Sequence, residues 1–412
     1  MKKLIEWMNN SFAPKMNKIV RNPYIASIQD TMIAIMPIIL VSSFVSIISA
    51  LGENWTWIPD CSYITSFSIG IISLFVAYLM PMSILEKKRK NKYKKQAGCL
   101  GIAFFIMMSV PSFNEDGMLL LDTSRIGSGG IFIAIFAGII VAFILLMSDK
   151  ITLFKNNPTM PKFLADSFDS IIPILGVMLV GFVFCNLLGL DLYGLISMLL
   201  QPIMDSALSF GGLVVISFLG CFLYTFGIST WLIYGLYYPI YLNAVMLNAE
   251  KVAAGEAATY IATNETMYLT MFGGFGSTLM LCVMFAFLAK SKKLKGLGRT
   301  ALLPSLLNIN EPIVFGSVAF NPILMIPMWI SGIIIPIIVW LSMSSGLVAI
   351  PSSVFTFWYA PFIMSYLVNY DWKIYILVVV VLAVSALIYY PFFKVYDNQC
   401  VKEEEEEKAA EA

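Results

Sequence analysis

Uninterrupted apolar runs of about 20 residues, such as 129–148 and 374–393, constrain this chain more than any motif in it. That is the length an α-helix needs to cross the hydrocarbon core of a bilayer, whereas a β-barrel would show shorter segments of alternating character. Hydrophobic residues make up 59% of the 412 and charged residues only 12%, a balance that a soluble core of this length does not have. The expected fold is therefore an all-α polytopic membrane protein. Residues 1–22 lack an apolar core and carry Lys2, Lys3, Lys15, Lys18 and Arg21, so no cleavable signal peptide is expected there. That segment reads either as an interfacial amphipathic helix or as a disordered lead-in.

A formal net charge of +1 conceals a strong sidedness. Basic residues cluster in 1–22, 86–95, 149–166, 290–299 and after Lys394, while the remaining connections hold acids with only Arg125, Lys251 and Lys373 among them. Positive loops stay in the cytosol, which puts both termini inside. The run at 86–95 reads as a topogenic loop rather than a nucleic-acid or lipid patch, and no nucleic-acid partner is expected. Under that constraint spans fall near 30–51, 66–85, 97–113, 129–148, 167–190, 210–228, 229–247, 268–289, 316–345 and 372–393, about ten in all. The break between the sixth and seventh is placed near Gly227.

Two apolar stretches remain, 299–315 and 349–368, both short and interrupted by proline, asparagine and small residues. Irregular backbone at membrane depth is tolerated only where protein buries it or water lines it, so both read as re-entrant hairpins. Glu311, in the first of them, is the sole charged residue between Arg299 and Asp371. A carboxylate in lipid costs on the order of several kcal/mol unless it meets a polar cavity or a partner, which marks a solute site; the alternative is a loop end whose glutamate caps backbone groups. Asn308 and Asn310 add amides, and Trp358, Trp231, Tyr237 and Phe357 add flat apolar faces. Hydroxyls at the rim and C–H faces make a sugar the solute that suits such a lining, although any one tryptophan can equally belong to an interfacial belt. The six cysteines show no CxxC pair, so neither a metal nor a redox site is expected, and no phosphate-binding loop or nucleotide fingerprint calls for a cofactor.

The stretch Leu307-Asn-Ile-Asn-Glu-Pro-Ile-Val-Phe-Gly316, followed by Asn321-Pro322, resembles the integral membrane IIC component of the lactose/cellobiose/diacetylchitobiose family of the bacterial sugar phosphotransferase system. Phe272-Gly-Gly-Phe-Gly-Ser-Thr-Leu279, Asp30-Thr-Met-Ile-Ala-Ile-Met-Pro-Ile-Ile39, Trp358, Pro361 and Asp371-Trp372 fit in the same order. The resemblance implies a permease of the bacterial cytoplasmic membrane for a β-linked disaccharide such as cellobiose, chitobiose or lactose. It further implies a homodimer, and phosphorylation of the sugar by the phosphocysteine of a separate cytosolic IIB protein, with IIA, HPr and enzyme I upstream. No phosphorylated residue is expected on this chain. Glu311 is implied to hydrogen-bond the hydroxyl that becomes phosphorylated, with Trp358 packing on a ring. Residues 1–209 would carry the interfacial helix, five spans and the dimer contact, and 210–396 both hairpins and the sugar site. Residues 397–412, with the run Glu403 to Glu407, are expected to be a disordered acidic tail.

Two positions depart from the family pattern. Where members carry histidine in Phe-Gly-Ile-His-Gly, this chain has Phe226-Gly227-Ile228-Ser229-Thr230, and it contains no histidine at all. Where an arginine precedes Asp30, it has Gln29. Ser229 can donate and accept a hydrogen bond but cannot take a proton near neutral pH. These departures keep two other functions open, an ion-coupled secondary sugar carrier and a non-transporting sugar sensor derived from such a permease.

Overall fold

The computed structural model describes residues 22–52, 61–148, 162–228, 230–355, 359, 362 and 371–411. The described chain is helical almost throughout, with one short antiparallel ladder pairing Ser112–Phe113 with Leu119–Leu120. Among the described residues five helices are long and apolar enough to cross a membrane, or six if one broken pair is counted as a span. Of the other expected crossings, 97–113 and 268–289 fall on shorter or interrupted helices. Chain contacts divide the protein into two compact units, Val20–Met204 and one built on Asp205–Ala412.

In the first unit α1 (Pro23–Gly52), α2 (Ile72–Lys87), α3 (Lys94–Met108) and α4 (Ile131–Ser148) pack with α2 against each of the other three. Lipid is as apolar as leucine, so close backbone approach must hold membrane helices together. Gly101 of α3 shows it: a β-carbon there would lie 2.0 Å from the Ala77 carbonyl oxygen of α2. Ion pairs fasten the helix ends, Lys87 to Asp30 at 2.6 Å and Lys92 to Asp169 at 3.0 Å. Next come α5 (Lys162–Gly181), which runs on as a π-helical turn to Leu187, and α6 (Leu192–Leu208), which crosses into the second unit. Helix α6 occupies the stretch expected as the connection between the fifth and sixth spans. Asp191, read there as a loop charge, caps this helix by accepting the Gly194 N–H at 2.8 Å.

The second unit contains α7 (Phe210–Tyr224), α8 (Trp231–Ala253), α9 (Asn264–Leu269), α10 (Leu279–Val283, running on as a π-helical turn to Leu288) and α11 (Lys292–Leu306). Then follow α12 (Glu311–Ile313, running on as a π-helical turn to Val318), α13 (Pro322–Ser344) and α14 (Ile374–Glu411). Helix α13 packs against both α7 and α14, and Ile335, Val339, Ile374 and Val381 are fully buried in that core. Val379 and Leu387 on α14 stay exposed, as suits a face turned to acyl chains. The chain breaks between α7 and α8 at Gly227, whose φ of +74° favours glycine, as expected.

The expected span at 268–289 is not continuous. It is cut by a loop, 270–278, in which Gly273, Gly274, Gly276 and Ser277 all have positive φ. Mean hydropathy over that window conceals a backbone that cannot remain helical. Glu265, assigned by sequence to an outer connection, is 1% exposed in α9.

The acidic tail is not disordered as expected, because α14 continues through it to Glu411. Its carboxylates cap a helix more than 100 residues away in sequence. Asp397 accepts the Lys290 and Ser291 N–H groups, each at 3.0 Å. Glu404 accepts the Ser291 hydroxyl at 2.6 Å and the Lys292 and Lys293 N–H groups at 3.1 and 2.9 Å. Helix α11 begins with lysines and has no acid in its first turn; Ser291 caps it by accepting the Leu294 N–H at 3.2 Å, and the tail supplies further acceptors and the negative charge its N-terminus lacks. Asp397→Ala and Glu404→Ala should each cost about 1–2 kcal/mol, as lost helix caps do. Thermal unfolding of the purified protein in detergent measures this, and melting identical to wild type would refute the cap.

Candidate functional site

The glycine loop and the Asn-Ile-Asn-Glu turn, far apart in sequence, are locked together. Asn308, itself at φ +60°, accepts the Gly273 N–H on its Oδ1 at 2.7 Å. Asn310 donates from Nδ2 to the Phe275 carbonyl and to the Thr278 hydroxyl oxygen, both at 3.0 Å, and Thr278 donates onward to the Gly273 carbonyl at 2.6 Å. Gly274, at φ +87°, leaves room for this clamp: a β-carbon would fall 2.3 Å from the Asn310 amide carbon. From behind, the Ser331 and Tyr389 hydroxyls donate to the Gly276 carbonyl at 2.7 and 2.9 Å, and Ser385 donates to the Ser277 carbonyl at 2.7 Å. Gly273, Gly276 and Ser277 are thus each held by a partner that a helical span would not have needed.

A cavity of about 250 Å³ opens beside this clamp. Thr230, Tyr234 and Tyr237 line it from the start of α8, at four- and three-residue spacing on one helix face. Tyr268, Met271, Gly274 and Phe275 line it from α9 and the glycine loop, and residues 308–311 from the turn. Glu311 opens α12 with Pro312 behind it, and its side chain is exposed to the opening. The Tyr224 phenol lies within electrostatic reach of that carboxylate, and the Tyr224 ring meets Phe315 edge-on at 5.5 Å. Mostly apolar walls with one carboxylate and a few hydroxyls suit a small polar solute that also has flat C–H faces.

Of the residues singled out by sequence, Glu311, Asn308, Asn310 and Tyr237 meet at this cavity. The two asparagines were expected to offer their amides to a solute, and the hydrogen bonds they make here hold the glycine loop. Ser229 and Trp358 lie outside the described residues. Gln29 is half-buried on α1 in the other unit, next to the Asp30 that pairs with Lys87.

Sequence reasoning missed Tyr234 and Tyr268, and it missed Glu265. Glu265 Oε1 accepts the Phe355 N–H at 2.9 Å, and Asn248 Nδ2 donates to the Pro351 carbonyl at 2.8 Å. Together they pin the described start of the second interrupted stretch, 349–355, to the unit that holds the cavity. The spacing of Tyr234, Tyr237 and Tyr241 on one helical stripe was a readable signal, whereas nothing local distinguishes Glu265 from a loop acid.

Comparison with known proteins gives a consistent result. The family model described as "Phosphotransferase system, EIIC" matches residues 29–332. The lichenan permease IIC component of Bacillus subtilis (strain 168) is 28% identical, over 98% of this chain and 96% of that one. The lactose-specific EIICB component of the PTS system of Streptococcus mutans serotype c (strain ATCC 700610 / UA159) is 28% identical, over 96% of this chain and 73% of that one. Among solved structures, the transporter ChbC, the IIC component of the N,N'-diacetylchitobiose-specific phosphotransferase system, superposes with a TM-score of 0.88 at 25% identity. That match covers 97% of this chain and 99% of the other.

Proposed function

The chain belongs to the phosphotransferase system EIIC family, and on that premise we propose that it carries a β-linked disaccharide across the bacterial cytoplasmic membrane for phosphorylation by a IIB protein. Relatives named for lichenan, lactose and diacetylchitobiose support the substrate class. The lactose relative's designation as an EIICB component supports the IIB partner. The observation that carries the reading is Glu311, exposed at the mouth of an aromatic-walled cavity in a stretch otherwise free of charge.

In this reading the Glu311 carboxylate accepts a hydrogen bond from one sugar hydroxyl and raises the nucleophilicity of its oxygen. That oxygen attacks the phosphorus of the IIB phosphocysteine. An O–P bond forms, the S–P bond breaks, the thiolate leaves, and the hydroxyl proton passes to the carboxylate. Trp358 would pack on a ring, with Ser229 and Gln29 as polar contacts. The two units would take the dimer-forming and sugar-binding roles, and the helix, turn and helix over 292–318 would be one of two re-entrant hairpins within a ten-span topology with both termini inside.

The absence of histidine favours testing one rival, an ion-coupled carrier that uses Glu311 as its titrating group. In cells with an intact phosphodonor, imported sugar should accumulate as sugar phosphate, and uptake should persist when the proton gradient is collapsed. Free sugar inside, with uptake that stops when the gradient does, would establish the carrier instead. Ser229→His with Gln29→Arg adds a second arm: a decayed site should gain phosphorylation from the imidazole, whereas a retuned one should lose it by crowding.

A further inference from the structure

Two phenols on the cavity wall have been left without hydrogen bonds by a fold that satisfies comparable groups nearby. Tyr237 and Tyr268 are 2% and 6% exposed, and neither hydroxyl finds a partner among the described residues. The Tyr268 hydroxyl comes close to Tyr234 without forming a good hydrogen bond. Elsewhere in the same unit Tyr389 donates to the Gly276 carbonyl at 2.9 Å and Tyr241 to the Ala207 carbonyl at 3.3 Å. Buried tyrosine hydroxyls are ordinarily bonded, and leaving one unpaired costs stability. Tyr238 and Tyr224 are also unpartnered, but neither lines the cavity: Tyr238 backs Tyr234 as a stacked ring at 4.5 Å, and the Tyr224 ring meets Phe315 edge-on.

The two cavity phenols come from different elements, Tyr237 from α8 and Tyr268 from α9, so no single local motif explains both. Each presents a donor and acceptor on a cavity that Tyr234, Phe275, Met271 and Ile309 line with apolar surface and whose other polar groups are Thr230 and the turn at 308–311. Tyr237 lies seven residues beyond Thr230, about 10 Å along the helix axis, so α8 lines the cavity over more than one sugar ring's reach. The carboxylate that would hold the accepting hydroxyl stands on the turn instead.

We propose that Tyr237 and Tyr268 form a hydroxyl-binding subsite for the ring of a disaccharide that is not phosphorylated. This rests on the reading of Glu311 as the partner of the accepting hydroxyl. The subsite exchanges two unsatisfied phenols for bonds to the solute, so it favours the liganded state and selects for a second ring.

The test uses the full-length protein in nanodiscs, titrated with cellobiose, lactose and diacetylchitobiose, and continues with whichever binds most tightly. Tyr237→Phe and Tyr268→Phe should each raise its Kd about tenfold, since each variant removes one solute hydrogen bond and leaves the ring. The ligand-free melting temperature should stay the same or rise, because the deleted hydroxyl was unsatisfied. Tyr241→Phe, which loses a real bond away from the cavity, should melt lower and keep its Kd. Unchanged Kd in both cavity variants overturns the subsite, as does weaker binding accompanied by a lower ligand-free melting temperature. If the wild type binds the disaccharide and Glu311→Gln cuts sugar-phosphate formation as expected, such a result overturns the subsite alone. If the wild type binds none of the three, the reading of the whole cavity falls with it.

Discussion

Glu311→Gln should reduce sugar uptake and sugar-phosphate formation at least about tenfold, equivalent to roughly 1.4 kcal/mol or more in the barrier. The substitution keeps the shape of the side chain and its ability to accept a hydrogen bond while removing the charge, so it isolates polarisation of the hydroxyl from simple binding. The carboxylate is well placed for such a separation. It opens α12 at the cavity mouth and is not part of the hydrogen-bonded clamp that holds the glycine loop. Its replacement should therefore leave the fold intact, and unliganded melting should stay near wild type. Initial uptake rates and the phosphorylated fraction of the accumulated sugar are the measurements. Wild-type values for both in the glutamine variant would remove Glu311 from the chemistry.

Gly274→Ala should do severe harm to the fold. Its φ of +87° costs an L-residue about 1–2 kcal/mol by itself. The new β-carbon would also land 2.3 Å from the Asn310 amide carbon, in a side chain fixed by bonds to Phe275 and Thr278. Relief requires breaking those bonds and leaving buried polar groups unpaired, so the total loss should reach about 3–5 kcal/mol, with sugar binding lost as the turn carrying Glu311 moves. Gly255→Ala is the matched control. It shares a positive φ of +80° but has nothing within 4 Å of its virtual β-carbon, so only the conformational cost should appear and transport should survive. Melting curves and uptake for the pair separate the two contributions, and equal effects would show that the Asn310 contact does not matter.

The membrane class, the break at Gly227 and the weight placed on Glu311 were all legible along the chain because each depends on a local quantity. Run length decides whether a helix can span a bilayer, a glycine of positive φ ends one, and an unpaired charge is conspicuous in an apolar stretch. The same averaging misled where hydropathy and backbone disagree. Residues 268–289 are apolar enough to span, yet Gly273, Gly274 and Gly276 bend the chain into a loop. The acids from Asp397 onward have the composition of a solvated tail, yet two of them, Asp397 and Glu404, accept from N–H groups at the start of α11.

The pattern of apolar length and interruption is thus written in the chain, since solvation by lipid or water acts on each segment separately. Which polar groups meet is decided only by tertiary packing. Asn308 and Asn310 stand out in the chain as candidate ligand amides, but that they also hold a loop 35 residues away is visible only in the packed structure. Glu265 looks like a surface acid until Phe355 is found donating to it. A hydrogen bond needs its partner within about 3 Å, and no local pattern specifies which distant backbone will arrive there.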